Sequence, residues 1–174
     1  MGGSQGAKRL NEWVLDHLDL LNRHSDDIAV IHIAGTDDQE RVSRSYESSA
    51  LQHHVIGFTE EMDQIYPAAD LVLSRAGGTS LAELAYLKQP AVLVPYPRAM
   101  ENHQLLNARE AASDGGCILL RQDEFCKRAF REQIIGVLRD RERCRRMSGH
   151  LDDIRKPNAA SRISSALLSL TSSH

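Results

Sequence analysis

Short runs of aliphatic residues recur along the chain, each followed by a stretch whose apolar positions return every three or four residues. The runs cover 28–34, 54–58, 70–74, 91–95 and 117–120. Most lack polar alternation, which is how strands buried on both faces of a parallel sheet read. Helical periodicity fills the intervals at 7–23, 37–50, 60–68, 79–87 and 102–113. It predicts three closing helices at 127–138, 141–154 and 159–170. Such alternation implies right-handed βαβ crossovers and an α/β fold with a Rossmann-like, doubly wound parallel sheet. No internal repeat, low-complexity segment or linker interrupts it, so residues 1–174 read as a single domain.

The first helix is preceded by Gly2-Gly3-Ser4-Gln5-Gly6 rather than by a strand. In a Rossmann-like unit a glycine-rich turn of this kind joins the first strand to the first helix, and that strand lies at the centre of the sheet. With the first strand missing, backbone groups on its two neighbours would be orphaned. The expectation is that strands re-pair, that a partner chain fills the gap, or that residues 2–6 are displaced.

Composition narrows the class. The chain is 41% hydrophobic, 26% charged and 5% aromatic, with a formal charge of −3. That balance is ordinary for a globular protein and gives no electrostatic footprint for nucleic acid. The arginines at 139–146 are interleaved with Asp140 and Glu142, as on a solvated helix face. Cys117, Cys126 and Cys144 form no C-x-x-C pair, and the eight histidines lack metal spacing. Neighbouring His53 and His54 would face opposite sides of a strand. No apolar run approaches the ~20 residues needed to span a bilayer and no signal peptide opens the chain, so any membrane contact is expected to be peripheral.

Three polar segments follow the aliphatic runs. Gly2, Gly3 and Gly6 permit close approach of backbone N–H groups to a phosphate, with a helix N-terminus behind them, and Ser4 adds a hydroxyl. Such a turn reverses a chain as often as it binds, and its spacing is not that of the dinucleotide fingerprint. The second segment, Arg75-Ala76-Gly77-Gly78-Thr79, opens a helix after the run ending at Ser74. It suits a diphosphate, while Glu83, one turn on, is placed to accept ribose hydroxyls or simply to sit on an exposed helix face. In the third, 95–108, His103 and Gln104 fall in the first turn of a helix, where sugar hydroxyls can be met, and Asn102 is a natural helix cap. Three polar loops at successive strand ends mark the edge where open α/β sheets bind ligands.

Taken together, GGSQGAKRLN, VIGFTEEMDQIYPAADLVLSRAGGTSLAELA and QPAVLVPYPRAMENHQLLNA resemble the carboxyl-terminal domain of the MurG family across essentially the whole chain. The resemblance implies the second half of a two-domain GT-B glycosyltransferase. That family transfers GlcNAc from UDP-GlcNAc to undecaprenyl-diphosphate-linked MurNAc-pentapeptide, forming lipid II for peptidoglycan. It implies that Ser4 and Gln5 lie beside the donor diphosphate and sugar, and that backbone groups of Thr59 read the uracil. Gly77, Gly78 and Thr79 would face the phosphates, Glu83 would bind the ribose, and His103, Gln104 and Asn107 would contact the GlcNAc.

Inverting transfer needs a base on the acceptor hydroxyl and stabilisation of departing UDP. The resemblance assigns the base, the acceptor groove and the membrane-facing surface to the amino-terminal domain, which is absent from these residues. Donor binding without transfer, no metal and no cofactor are therefore expected. The complete enzyme would work in the cytoplasm, peripheral at the inner face of the plasma membrane. The alternatives are a stand-alone donor subunit of a two-subunit GlcNAc transferase and a non-catalytic UDP-sugar-binding protein. A UDP-GlcNAc epimerase shares the architecture but fits the motifs less well, and a nicotinamide-dependent dehydrogenase would need the glycine fingerprint that is missing.

Overall fold

The structure is a computed structural model and describes residues 7–97 and 102–154 together with Ser164, Ser165 and Leu168. In chain order its strands are β1 (Ala29–Ile33), β2 (Gln52–Ile56), β3 (Val72–Ser74), β4 (Ala91–Leu93) and β5 (Cys117–Leu119). The helices are α1 (Ala7–Leu15), α2 (Leu18–Asn22), α3 (Gln39–Tyr46), α4 (Met62–Ile65), α5 (Gly78–Tyr86) and α6 (His103–Ser113). They continue with α7 (Lys127–Phe130), α8 (Gly136–Leu138) and α9 (Arg141–Ile154). The closing helix expected at 159–170 lies outside the described residues, apart from Ser164, Ser165 and Leu168.

All strand pairs are parallel, as the unalternated aliphatic runs predict. They form a two-stranded sheet, β1-β2, and a three-stranded sheet, β3-β4-β5. A doubly wound order of 3-2-1-4-5-6 divides in this way when its central position is left out. Of the three outcomes expected, re-pairing is not seen: among the described residues β1 and β3 do not bond to each other. Residues 2–6, whose displacement was another of the three, lie outside the described residues.

The core sits on both sides of β4. Val92 and Val94 belong to one buried cluster with Leu10, Trp13, Val42, Tyr46 and Phe130. Ala91 and Leu93 face the other, with Tyr66, Leu84, Ala108 and Leu151. Alternate residues of one strand thus enter opposite cores, which is why the run carries no polar position. β1 and β2 are less enclosed: Ile31 is exposed, as are Gln52, His53 and His54.

Three boundaries differ from the sequence pattern for physical reasons. The helix expected over 7–23 breaks after Leu15. The His17 ring Nδ1–H donates to the Trp13 carbonyl at 2.8 Å, and the His17 backbone N–H bonds instead to Val14 O. β2 starts two residues before its aliphatic run, because pairing with β1 and stacking of His53 on Tyr46 (4.8 Å) hold Gln52 and His53 extended. The helix over 127–138 contains a π-helical stretch, Arg131–Ile135. On α9, Arg145 and Arg146 pair with Glu142 at the surface, the solvated face that the interleaved charges predict.

Gly116 is required by close packing. A Cβ there would stand 2.6 Å from Leu151 Cδ2 and 2.7 Å from Leu151 Cγ. Gly116→Ala is therefore expected to destabilise by about 2 kcal/mol through overpacking. Thermal denaturation should show a melting temperature lower by about 6 °C. An unchanged midpoint would mean that α9 moves away at no cost.

Candidate functional site

Parallel strands place all their carboxyl ends on one edge within each sheet, and the candidate residues gather on the segments leaving those ends. α5 begins there. Gly77 precedes it in extended conformation (φ −70°, ψ 146°), no side chain caps the helix, and its first turn carries no acidic residue. Gly78 and Thr79 are exposed, so the first-turn N–H groups, which have no intrahelical partner, open to solvent. This is an anion-binding arrangement with a positive helix end behind it.

Glu83 lies one turn further along α5 and is half-buried. Its Oε2 accepts a hydrogen bond from the Tyr66 hydroxyl at 3.1 Å. Burial, reinforced by the adjacent Glu83 charge, pushes the Tyr66 phenol above its ordinary range, so it stays a donor. Glu83 lines a cleft of about 1140 Å³ together with Glu60, Tyr66, Gly78, Tyr86 and Asn107. The proximity of residues near 60, 80 and 107 is a product of the fold.

Thr59 follows β2. Its hydroxyl accepts the Glu61 backbone N–H at 3.0 Å, and its own backbone groups make no hydrogen bond among the described residues. Beside it Phe58 is 73% exposed. On α6, Gln104 Oε1 accepts the Tyr96 backbone N–H at 2.9 Å, tying the helix to the loop after β4. Asn107 Nδ2 reaches the Ala76 carbonyl at 3.4 Å, tying it also to the loop after β3. His103 is exposed at the helix start. Asn102 departs from expectation: it occupies the cap position in a left-handed conformation (φ 56°) and makes no side-chain cap bond. Asparagine tolerates that geometry better than most residues, so its backbone freedom rather than its amide suits the turn. Ser4 and Gln5 lie outside the described residues.

Motif reading gave Arg75 no role. It is 4% exposed, and its Nη1 donates to the Val94 and Pro95 carbonyls, both at 3.3 Å. Its Nη2 donates to Gln122 Oε1 at 2.9 Å, and its guanidinium lies 5.5 Å from the centre of the Tyr96 ring. One side chain thereby joins the segments leaving β3, β4 and β5. Burial pulls its pKa down, but a guanidinium remains charged. Tyr66 was also missed. The only signal for it was a tyrosine next to a proline just before a strand, which says nothing about a glutamate seventeen positions later.

A buried polar chain lies at the end of β1. Asn11 Nδ2 donates to Ala34 O (2.9 Å) and Asp38 Oδ2 (2.8 Å), which leaves Asn11 Oδ1 to accept from His32 Nε2 (3.0 Å). His32 therefore carries its proton on Nε2, and Nδ1 accepts from the Tyr46 hydroxyl at 3.1 Å. Burial depresses the His32 pKa from 6.5 to about 4. Arg41 grips Asp38 through two bonds of 2.6 Å and, with Asn11, holds the carboxyl at about 2. Among the described residues no three His, Cys, Asp or Glu side chains are grouped to hold a metal ion.

The fold and the strand-end loops define a doubly wound α/β domain with an anion-accepting helix start and a nearby carboxylate. The glycosyltransferase family 28 C-terminal domain model matches residues 1–163, and the chain belongs to that family. Among curated relatives, it is 37% identical over 162 residues to the UDP-N-acetylglucosamine–N-acetylmuramyl-(pentapeptide) pyrophosphoryl-undecaprenol N-acetylglucosamine transferase of Anaeromyxobacter sp., covering 93% of this chain and 42% of that protein. It is 39% identical over 171 residues to the protein of the same name from Nitratidesulfovibrio vulgaris, covering 98% and 46%. The crystal structure of Acinetobacter baumannii MurG superposes with a TM-score of 0.83 at 28% identity, over 97% of this chain and 50% of that one. The chain thus spans about half the length of the relatives it matches, and the domain is of the kind that forms the carboxyl-terminal half of MurG.

Proposed function

We propose that the chain holds UDP-GlcNAc at the strand-end loops and presents it for transfer of GlcNAc to a lipid-linked MurNAc-pentapeptide, the step that completes lipid II. The observation that carries this reading is the pairing of an uncapped, acid-free helix start at Gly78 with a half-buried carboxylate, Glu83, one turn away. Phosphates need the first and would be repelled by the second, whereas vicinal ribose hydroxyls need the second. A nucleoside diphosphate presents both in the matching order.

In this reading Gly77, Gly78 and Thr79 offer backbone N–H groups to the diphosphate. They stabilise the charge that develops on departing UDP with no metal or cofactor. The backbone groups of Thr59, unbonded among the described residues, bond to the uracil edge, and exposed Phe58 supplies an apolar face beside it. His103, Gln104 and Asn107 approach the GlcNAc, and Ser4 and Gln5 complete the phosphate side. The acceptor hydroxyl attacks the anomeric carbon as UDP leaves, inverting the centre. The base that takes the hydroxyl proton, and the lipid contact, belong to an acceptor half carried on the same polypeptide or on a separate subunit. Because the acceptor is lipid-linked, the reading places the working enzyme peripherally at the inner face of the plasma membrane; no helix among the described residues is long and apolar enough to cross a membrane.

Calorimetric titration of the chain tests this. UDP-GlcNAc should bind at least about tenfold more tightly than ADP-glucose, a difference of about 1.4 kcal/mol arising at the base and sugar. Equal affinities would remove the uracil reading, and no heat with either ligand would remove the donor site altogether.

A further inference from the structure

The Tyr66 hydroxyl is a buried donor with one acceptor, and that acceptor is the carboxylate of the proposed donor site. Tyr66 is 1% exposed and belongs to the same buried cluster as Leu84, Leu93 and Leu151. The ring comes from the 3₁₀ turn Tyr66–Ala68 that leads into β3, an element separate from the helix carrying Glu83. Tyr66 therefore presents its hydroxyl from a rigid position, and the 3.1 Å bond to Oε2 pins a side chain whose terminal torsion is otherwise broad. Among the described residues Glu83 Oε1 has no hydrogen-bond partner, while Oε2 retains a second lone pair. Both oxygens keep room for one more donor, which is what a pair of vicinal hydroxyls requires.

We propose that Tyr66 is a positioning residue for sugar-diol recognition: it holds the Glu83 carboxylate in the one orientation that accepts both ribose hydroxyls of the donor. This deepens the ribose reading of Glu83 and rests on it. Tyr66 does not touch the ligand. It selects among the rotations of the carboxylate, so its contribution is present only for ligands that have the diol.

The test compares UDP with its 2′,3′-dideoxy analogue, which keeps the base and diphosphate, on the unaltered chain and on Tyr66→Phe. Removing the hydroxyl should weaken UDP roughly tenfold, about 1.4 kcal/mol. It should leave the dideoxy analogue within about twofold, since that ligand makes no use of the carboxylate. Equal weakening of both ligands would make Tyr66 merely structural and overturn the proposal, as would unchanged UDP binding. A Tyr66→Phe chain that failed to fold would likewise assign the hydroxyl to stability. If the unaltered chain bound the two ligands equally, the fault would lie with the ribose reading of Glu83 itself, which separates the two failures.

Discussion

Replacing Glu83 by alanine is expected to weaken UDP-GlcNAc binding about 100-fold, the equivalent of about 3 kcal/mol at roughly 1.5 kcal/mol for each of two hydrogen bonds to a charged group. The loss is large because Glu83 is half-buried and its carboxylate is held by the Tyr66 hydroxyl at 3.1 Å, one turn from the helix start that faces the phosphates. A second, smaller cost falls on the protein. Without Glu83 the Tyr66 hydroxyl is left buried with no acceptor, so the variant should also melt at a lower temperature. Titration at several temperatures below the midpoint separates the two effects. Glu83→Gln should recover part of the affinity, because one amide oxygen still accepts. UDP-GlcNAc affinity that stayed within threefold of the starting value in Glu83→Ala would place the ribose elsewhere.

Stability should fall as pH drops from 6.5 towards 4, and His32 is the reason. In the folded chain burial lowers its pKa to about 4, against 6.5 when unfolded. Between those values the unfolded chain binds the extra proton and the folded chain does not. The stabilisation is therefore complete above pH 6.5 and is lost progressively as pH falls through the window. A separation of about 2.5 units corresponds to about 3 kcal/mol.

The groups around His32 make its protonation unwelcome. Asn11 Oδ1 already occupies Nε2–H, and Nδ1 would have to turn from acceptor to donor toward Tyr46. The Asp38 charge favours the protonated form, but it is engaged by Arg41 and Asn11. Below 4 the Asp38 carboxyl, held near 2, extends the decline as it too is protonated. Denaturant unfolding at pH 7, 5.5 and 4.5, on the natural chain and on His32→Gln, gives the measurement. Curves that ran parallel would show that His32 contributes nothing to the slope.

The site was readable in parts because its parts are local. An aliphatic run ending at Ser74 and followed by Gly-Gly-Thr can do little except end a buried strand and start a helix, and α5 begins at Gly78 as that logic requires. Glu83 inherits its place from the helical rise. Asn102 shows the limit of such reading: its residue type suits a cap, yet at the start of α6 it adopts a left-handed conformation and its amide goes unused as a cap.

By itself the sequence determined the parallel α/β class, the two-faced burial of β4, the start of α9 and the order of the polar loops. Each follows from periodicity or turn chemistry within a few residues. Only the tertiary structure decided what crosses between elements. It joined Tyr66 to Glu83, ran Arg75 through three strand ends, and enclosed the Asn11–His32–Tyr46 chain. It also divided the strands into two sheets. A side chain's type states what it can donate or accept, whereas its partner is fixed by which distant segments the two cores press together, and no local pattern encodes that.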